Sequence, residues 1–294
     1  MTQIITALSD ISDRYKAVYC DLWGCLHNGI EPFPSAVTAL EAFKAKGGIV
    51  ILLTNSPRPA SGVYPQLDHI GVPRALYDGI VASGDAARAA MASGAYGTKV
   101  YHIGPDRDHP FFDGVPEEDF YQGIDIDRVP LDEAEGMICT GLFDDSTETP
   151  EDYRATLLNA KNRGLKMLCA NPDIVVDRGD QRIYCAGAIA EAYKDMGGEA
   201  HYFGKPHAPI YELARKRLAT IAGHEIANED ILAIGDGIRT DIAGASGEGI
   251  DALFITGGLA KTQTKTDDQP EAAALTHFLT EAQLSPQYAM GYLR

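Results

Sequence analysis

Cysteine is scarce and unpaired in pattern: Cys20, Cys25, Cys139, Cys169 and Cys185 make five, an odd number with no C-x-x-C spacing. That argues against a disulfide framework or a thiolate zinc site and suits buried thiols in a reducing cytoplasm. Long apolar runs are missing too; the longest, Ile49 to Leu53, is far too short to cross a bilayer. The opening stretch MTQIITALSDISDRY has no basic leader and no apolar segment, so no signal peptide is expected. Basic residues are outnumbered, with 25 Lys and Arg against 42 Asp and Glu and a formal net charge of −17. Such a surface repels phosphate backbones and anionic lipid, so neither nucleic acid nor membrane is expected as a partner. A small anionic substrate would be repelled as well unless a local cation held it. No G-x-x-x-x-G-K-[ST] occurs, and Gly244 to Gly249 lack the G-x-G-x-x-G order, so neither glycine-rich nucleotide loop is read.

What is present is ample for a core. The 294 residues are 45% hydrophobic, enough for one large domain or a core with an insertion. The chain turns on residues 15–29, YKAVYCDLWGCLHNG, where a short apolar run stops at Asp21 and a turn with Gly24 follows. Asp21 could simply end a strand, as turn-forming residues do; later stretches repeat the pattern. SAVTALEAFKAK (35–46) has helical spacing and ends at Gly47-Gly48, and IVILLT (49–54) is a continuous apolar strand stopping at Thr54-Asn55-Ser56-Pro57. Strand–helix–strand order makes the two strands parallel, with Asp21 and Thr54 at one edge. A helix (60–70), a strand (79–83) and a helix (85–91) follow, with Ser83-Gly84-Asp85 expected to cap the last.

From about residue 95 the texture changes. KVYHIGP and GMICTGLF are expected strands around an acidic, turn-rich stretch (105–135), then come helix 150–163, strand 165–173 and helix 187–196. Residues 95–199 are therefore read as an inserted α/β domain, with 1–94 and 200–294 forming the core. HYFGKP (201–206), DILAIGDGIRTDIAGA (230–245) and DALFITGGL (251–259) return to short apolar strands with polar ends, and a helix is expected near 271–282.

Four strand ends thus supply Asp21, Thr54, Lys205 and the pair Asp236 and Asp241, which a parallel sheet delivers to one edge. Converging carboxylates repel, and a divalent cation is the usual resolution; magnesium suits hard oxygen ligands, and a lysine beside it holds phosphate as a point charge. A carboxylate nucleophile with these partners implies an aspartyl-phosphate intermediate.

The stretches DLWGCLHNG with Pro34-Ser35-Ala36, LLTNS, CANPD, FGKP and IGDGIRTDIAGA resemble the haloacid dehalogenase (HAD) superfamily, in its subfamily IIA of p-nitrophenylphosphatase and NagD-type sugar phosphatases. They run in the family's order across residues 17–259. The resemblance implies a Rossmann-like α/β core with a large inserted α/β cap, and a Mg2+-dependent phosphatase acting on a small phosphorylated metabolite. It makes Asp21 the nucleophile, and Asp21, the Trp23 carbonyl and Asp236 the metal ligands. Thr54, Asn55 and Lys205 resemble the phosphate-binding groups, Asp241 the acid that orients the metal shell or the lysine, and Asn171 and Asp173 cap contacts to substrate. A homodimer is a further expectation carried by the resemblance alone.

One position departs. Phosphatases of this superfamily carry a second Asp two residues after the nucleophile as general acid and base; here Trp23 stands there. Such help is worth about 10²–10⁴ in rate. Either the enzyme favours good leaving groups, or His27 or a cap residue takes over. A carbon–halogen or carbon–phosphorus bond hydrolase, or a non-catalytic phosphate-binding protein, stays open at this point.

Overall fold

The computed structural model describes residues 2–113, 125–179 and 181–294. The first third runs β1 (Gln3–Ile4), β2 (Ala17–Cys20), α1 (Pro34–Ala45), β3 (Ile49–Thr54), α2 (Ala60–His69), β4 (Gly79–Ala82) and α3 (Ser83–Ala90). The middle contains β5 (Lys99–Ile103), β6 (Asp127–Arg128), β7 (Gly136–Cys139), α4 (Arg154–Asn162), β8 (Lys166–Cys169), β9 (Val175–Arg178), β10 (Gln181–Tyr184), α5 (Ala186–Asp195) and β11 (Glu199–Tyr202). The last third is α6 (Ala208–Ala222), β12 (Ile231–Gly235), α7 (Ala243–Glu248), β13 (Asp251–Ile255), α8 (Ala272–Ala282) and β14 (Tyr288–Met290).

Among the described residues the first sheet has the order β1-β14-β13-β12-β2-β3-β4, and all of its pairs are parallel. Its central strands are apolar throughout because both faces are covered. Successive side chains alternate between the faces. Val18, Cys20, Val50 and Leu52 therefore pack with Leu40 and Phe43 on one side. Tyr19, Ile51 and Leu53 pack with Tyr211, Leu218 and Phe254 on the other. Each such Leu or Ile, fully buried, contributes about 1.5–3 kcal/mol.

The second sheet, β11-β8-β7-β5-β6, is built from the middle residues around its own core of Met137, Leu157, Met167, Ile189 and Tyr193. Part of the turn-rich stretch 105–135, residues 114–124, lies outside the described residues. β9 and β10 form a separate antiparallel hairpin that the sequence reading did not anticipate.

Two expectations are corrected. HYFGKP was expected to return to the first sheet, but its strand, β11, pairs in parallel with β8 of the second. The β8–α5–β11 crossover carries the chain back beside β8, so sheet membership changes after Tyr202. Ser83 was expected to cap a helix from outside; it is the first residue of α3 and makes no capping hydrogen bond. Asp85 instead accepts the Ala60 N–H with both carboxylate oxygens at 3.1 Å, satisfying an orphan donor at the start of α2.

Candidate active site

β2 keeps its ladder for one residue beyond its end: the Asp21 N–H donates to the Ile234 carbonyl at 2.8 Å. The Asp21 side chain therefore emerges at the C-terminal edge of the sheet. Gly24 follows with φ 73°, and a Cβ there would collide with the Asp236 carboxylate. The sharp turn thus lets backbone approach the second acid, which only glycine permits. Asp236 stands directly after β12 and accepts the Leu259 N–H through Oδ2 at 3.0 Å. Asp241 lies in the wide helical turn Ile238–Ile242 and accepts the Gly237 N–H at 3.0 Å. Thr54 ends β3, and its hydroxyl oxygen accepts the Ser56 N–H at 3.1 Å.

Lys205 joins these groups. Its Nζ donates to Asp21 Oδ1 at 2.7 Å and to Asp241 Oδ1 at 2.6 Å, and the side chain is 3% exposed. The sequence reading placed it at the end of a core strand; it reaches the site instead from the loop after β11 of the second sheet. Asn55 holds it there. Asn55 Oδ1 accepts the Lys205 N–H at 2.7 Å, and Nδ2 donates to the Lys205 carbonyl at 3.1 Å and to Asp173 Oδ1 at 2.9 Å. The Asn55 side chain, expected to grip phosphate, has its donors and acceptor engaged by protein, so it is corrected to a clamp on Lys205. Asn171 accepts the Asp173 N–H at 3.0 Å, fixing the loop that carries Asp173.

Burial sets the electrostatics. It pushes Asp21 up to about 7 although Lys205 pulls the other way, and it pushes Asp236 well above the usual carboxylate range, helped by the charges of Asp21 and Asp241. Burial also works against the Lys205 ammonium, but Asp21 and Asp241 outweigh it and keep the lysine charged. Ligand atoms of Asp21, Asp236 and Cys25 lie within 4.8 Å of one another. Two buried carboxylates at that separation, one of them without a cationic hydrogen-bond partner among the described residues, fit a hard divalent cation. The Cys25 thiol is held protonated by burial and by Asp236, so it adjoins that position as a neutral group.

Asp21, Trp23, Thr54, Asp236 and Asp241 line a cavity of about 640 Å³, and Asn171 and Asp173, from the loop after β8, line it as well. His27 is corrected as an acid–base substitute. It is fully buried, lies edge-on to Trp23 with ring centroids 5.2 Å apart, and accepts the Gly29 N–H at 3.0 Å; burial lowers its pKa to about 4.

The sequence reading missed Cys25 as a neighbour of the acids. It also missed two arginines of the cavity lining, Arg107 and Arg178, which both pair with Asp145 at 2.5 and 3.0 Å. The signal for the second was available: VVDRGDQRIY alternates around Gly-Asp, a hairpin pattern.

A parallel sheet whose C-terminal edge carries Asp21 and Asp236, met there by a buried lysine from the loop after β11 of a second sheet, is the arrangement of a haloacid dehalogenase-type hydrolase. The haloacid dehalogenase-like hydrolase model matches residues 18–115, and a HAD-hydrolase-like model matches residues 202–282. A hydrolase of the haloacid dehalogenase-like family from Brucella suis 1330 is 41% identical, with a TM-score of 0.86 and 99% of this chain and 100% of that one covered. The chain belongs to the haloacid dehalogenase-like hydrolase family. The 5'-nucleotidase YutF of Bacillus subtilis (strain 168) is 25% identical over 270 residues, 91% of this chain and 97% of that protein. A glycerol phosphate phosphatase from Mycobacterium tuberculosis, solved in complex with magnesium, shares the fold at 21% identity. Its TM-score is 0.66, with 97% of this chain and 77% of that one covered. Among the described residues no helix is long and apolar enough to cross a membrane.

Proposed function

We propose that this hydrolase is a Mg2+-dependent phosphomonoesterase that acts on a small phosphorylated metabolite through an aspartyl-phosphate at Asp21. The observation that carries the reading is the Lys205 ammonium, buried and shared between Asp21 and Asp241. A cation in that position neutralises an incoming phosphoryl group beside the acid that attacks it, in a chain whose net charge otherwise repels anions. The 5'-nucleotidase relative acts on the same class of ester.

In this reading Asp21 Oδ attacks phosphorus and the ester P–O bond breaks. Water then cleaves the aspartyl-phosphate, releasing inorganic phosphate and restoring Asp21. Lys205 holds a phosphoryl oxygen as a point charge, the Thr54 hydroxyl donates to another, and Asp241 keeps the lysine aligned. Asp21, Asp236 and the Trp23 carbonyl would hold Mg2+, which when bound supplies charge that screens the nucleophile from the phosphoryl oxygens. Residues 1–94 and 203–294 serve as the catalytic core and the segment from 95 to the end of β11 at Tyr202 as the cap, whose Asn171 and Asp173 meet the substrate. The five buried free thiols suit a cytoplasmic setting.

A phosphometabolite panel assayed with Mg2+ and with EDTA tests this. Hydrolysis is expected to need the metal, and Asp21→Asn should abolish both turnover and phosphoenzyme labelling. Full activity in Asp21→Asn would refute the covalent route.

A further inference from the structure

With Trp23 where the family's acid–base Asp stands, hydrolysis of an ester with a poor leaving group needs another residue that gives a proton to the leaving oxygen and takes one from the attacking water. Of the acids lining the cavity, Asp21, Asp236 and Asp241 are engaged with the nucleophilic and metal roles. Asp145 is held by two arginines, and although burial opposes it, Arg178 and Arg107 keep it below the usual carboxylate range. Asp108 faces Arg58 at 3.5 Å and Asp177 pairs with Arg182 at 2.7 Å. His27 lies outside the cavity lining. Among the described residues one acid is left, Asp173.

Its placement is tightly determined. Asn171 Oδ1 accepts its N–H, and its carbonyl accepts the Gly187 N–H at 3.1 Å. A Cβ on Gly187 would strike the Pro172 and Asp173 carbonyls, and one on Gly204 would strike Asn55, Pro172 and Ser83. The cap loop, Asn55 and the Lys205 loop are thus packed into one another without side-chain clearance. Asn55 fixes Asp173 Oδ1, and among the described residues Oδ2 carries no hydrogen bond.

We propose that Asp173 is the general acid and base of this hydrolase, acting from the cap through the oxygen that Asn55 leaves free. The inference rests on the phosphatase reading above. In the first step Asp21 Oδ bonds to phosphorus, the P–O bond to the leaving group breaks, and the Asp173 carboxyl gives its proton to the departing oxygen, releasing an alcohol. In the second, water attacks the aspartyl-phosphate, its proton passes to the Asp173 carboxylate, and the bond from phosphorus to Asp21 breaks. The carboxyl is then protonated for the next cycle.

The local charges suit both duties. Burial raises Asp173 to about 6, with Lys205 and the Asn55 amide opposing and Asp241 assisting. Asp21, Cys185 and Cys169 also lie within its electrostatic reach, the two thiols held neutral by burial. A group near that value is present in both forms at neutral pH, as acid–base duty in two successive steps requires.

Asp173→Asn keeps an oxygen to accept from Asn55 and removes the proton. Wild-type turnover should depend weakly on leaving-group pKa across aryl and alkyl phosphates. In Asp173→Asn, alkyl phosphates should slow by about 10²–10⁴-fold. 4-Nitrophenyl phosphate should still give a burst of nitrophenol, with phosphoenzyme accumulating behind it. The pH limb near 6 should vanish in the variant and return in Asp173→Glu. A uniform loss across all leaving groups, an unchanged leaving-group series, or a steep series in the wild type itself would overturn the assignment. The last needs no variant to fold. If the wild type forms no phosphoenzyme with 4-nitrophenyl phosphate, the phosphatase reading fails first and takes this inference with it.

Discussion

Asn55→Leu separates two roles that the same position could have. If the amide holds Lys205, the substitution removes three hydrogen bonds in similar volume, two of them to the Lys205 backbone. Lys205 is 3% exposed, so its N–H and carbonyl would be left buried without partners. Each such group costs about 1–3 kcal/mol, so the two together should cost roughly 2–6 kcal/mol. The third bond, to partly exposed Asp173, adds little by comparison. A loss of that size is a large share of the roughly 5–15 kcal/mol that holds an ordinary domain together. It should appear as a lower urea midpoint by circular dichroism and as faster amide exchange in the loop 203–206. Turnover should fall more than the affinity for inorganic phosphate. Unchanged stability with weakened phosphate binding alone would show that the amide faces the ligand, and would refute the clamp.

His27 gives a pH test of stability. Its folded pKa, lowered to about 4 from 6.5, means the unfolded chain binds the proton first. Stability is therefore complete above about 6.5 and is lost as pH falls toward 4, by about 3 kcal/mol for a shift of this size. His27→Gln should flatten the urea midpoint between pH 7 and 4.5 relative to wild type; an equal slope in both proteins would contradict a neutral buried ring. Asp236→Asn should abolish the stabilisation that millimolar Mg2+ gives in a thermal melt, a protection worth about 2.7 kcal/mol at one hundred times the dissociation constant. Retained protection in that variant would place the ion elsewhere.

Much of the site could be read from sequence because buried parallel strands announce themselves as apolar runs with polar stops. Asp21, Thr54 and Asp236 stand at or just past the ends of β2, β3 and β12, as such stops do. The two-residue edge strand β1 and its three-residue neighbour β14 carry too little pattern to be found that way. The identity of Asn55's partners was not legible either. An amide after a strand can face ligand or backbone, and here the missing Cβ of Gly204 lets the Lys205 loop close over it. Nor could a pattern reveal that Cys25 stands against the acids, since an apolar turn position reads alike whatever it packs on.

The sheet to which β11 belongs has a mechanical consequence. The strand ends at Tyr202, and Phe203 and Gly204 alone separate it from Lys205. Three residue steps span at most about 11 Å when extended. Lys205 is held on both sides of its backbone by Asn55 of the core, while β11 is held by its ladder to β8. A movement of the second sheet relative to the first must therefore be absorbed at Phe203-Gly204 or be resisted by the Asn55 clamp. The lysine, the clamp and Asp173 meet at that same joint, so the inserted segment cannot shift far without disturbing the groups that hold the nucleophile's partner.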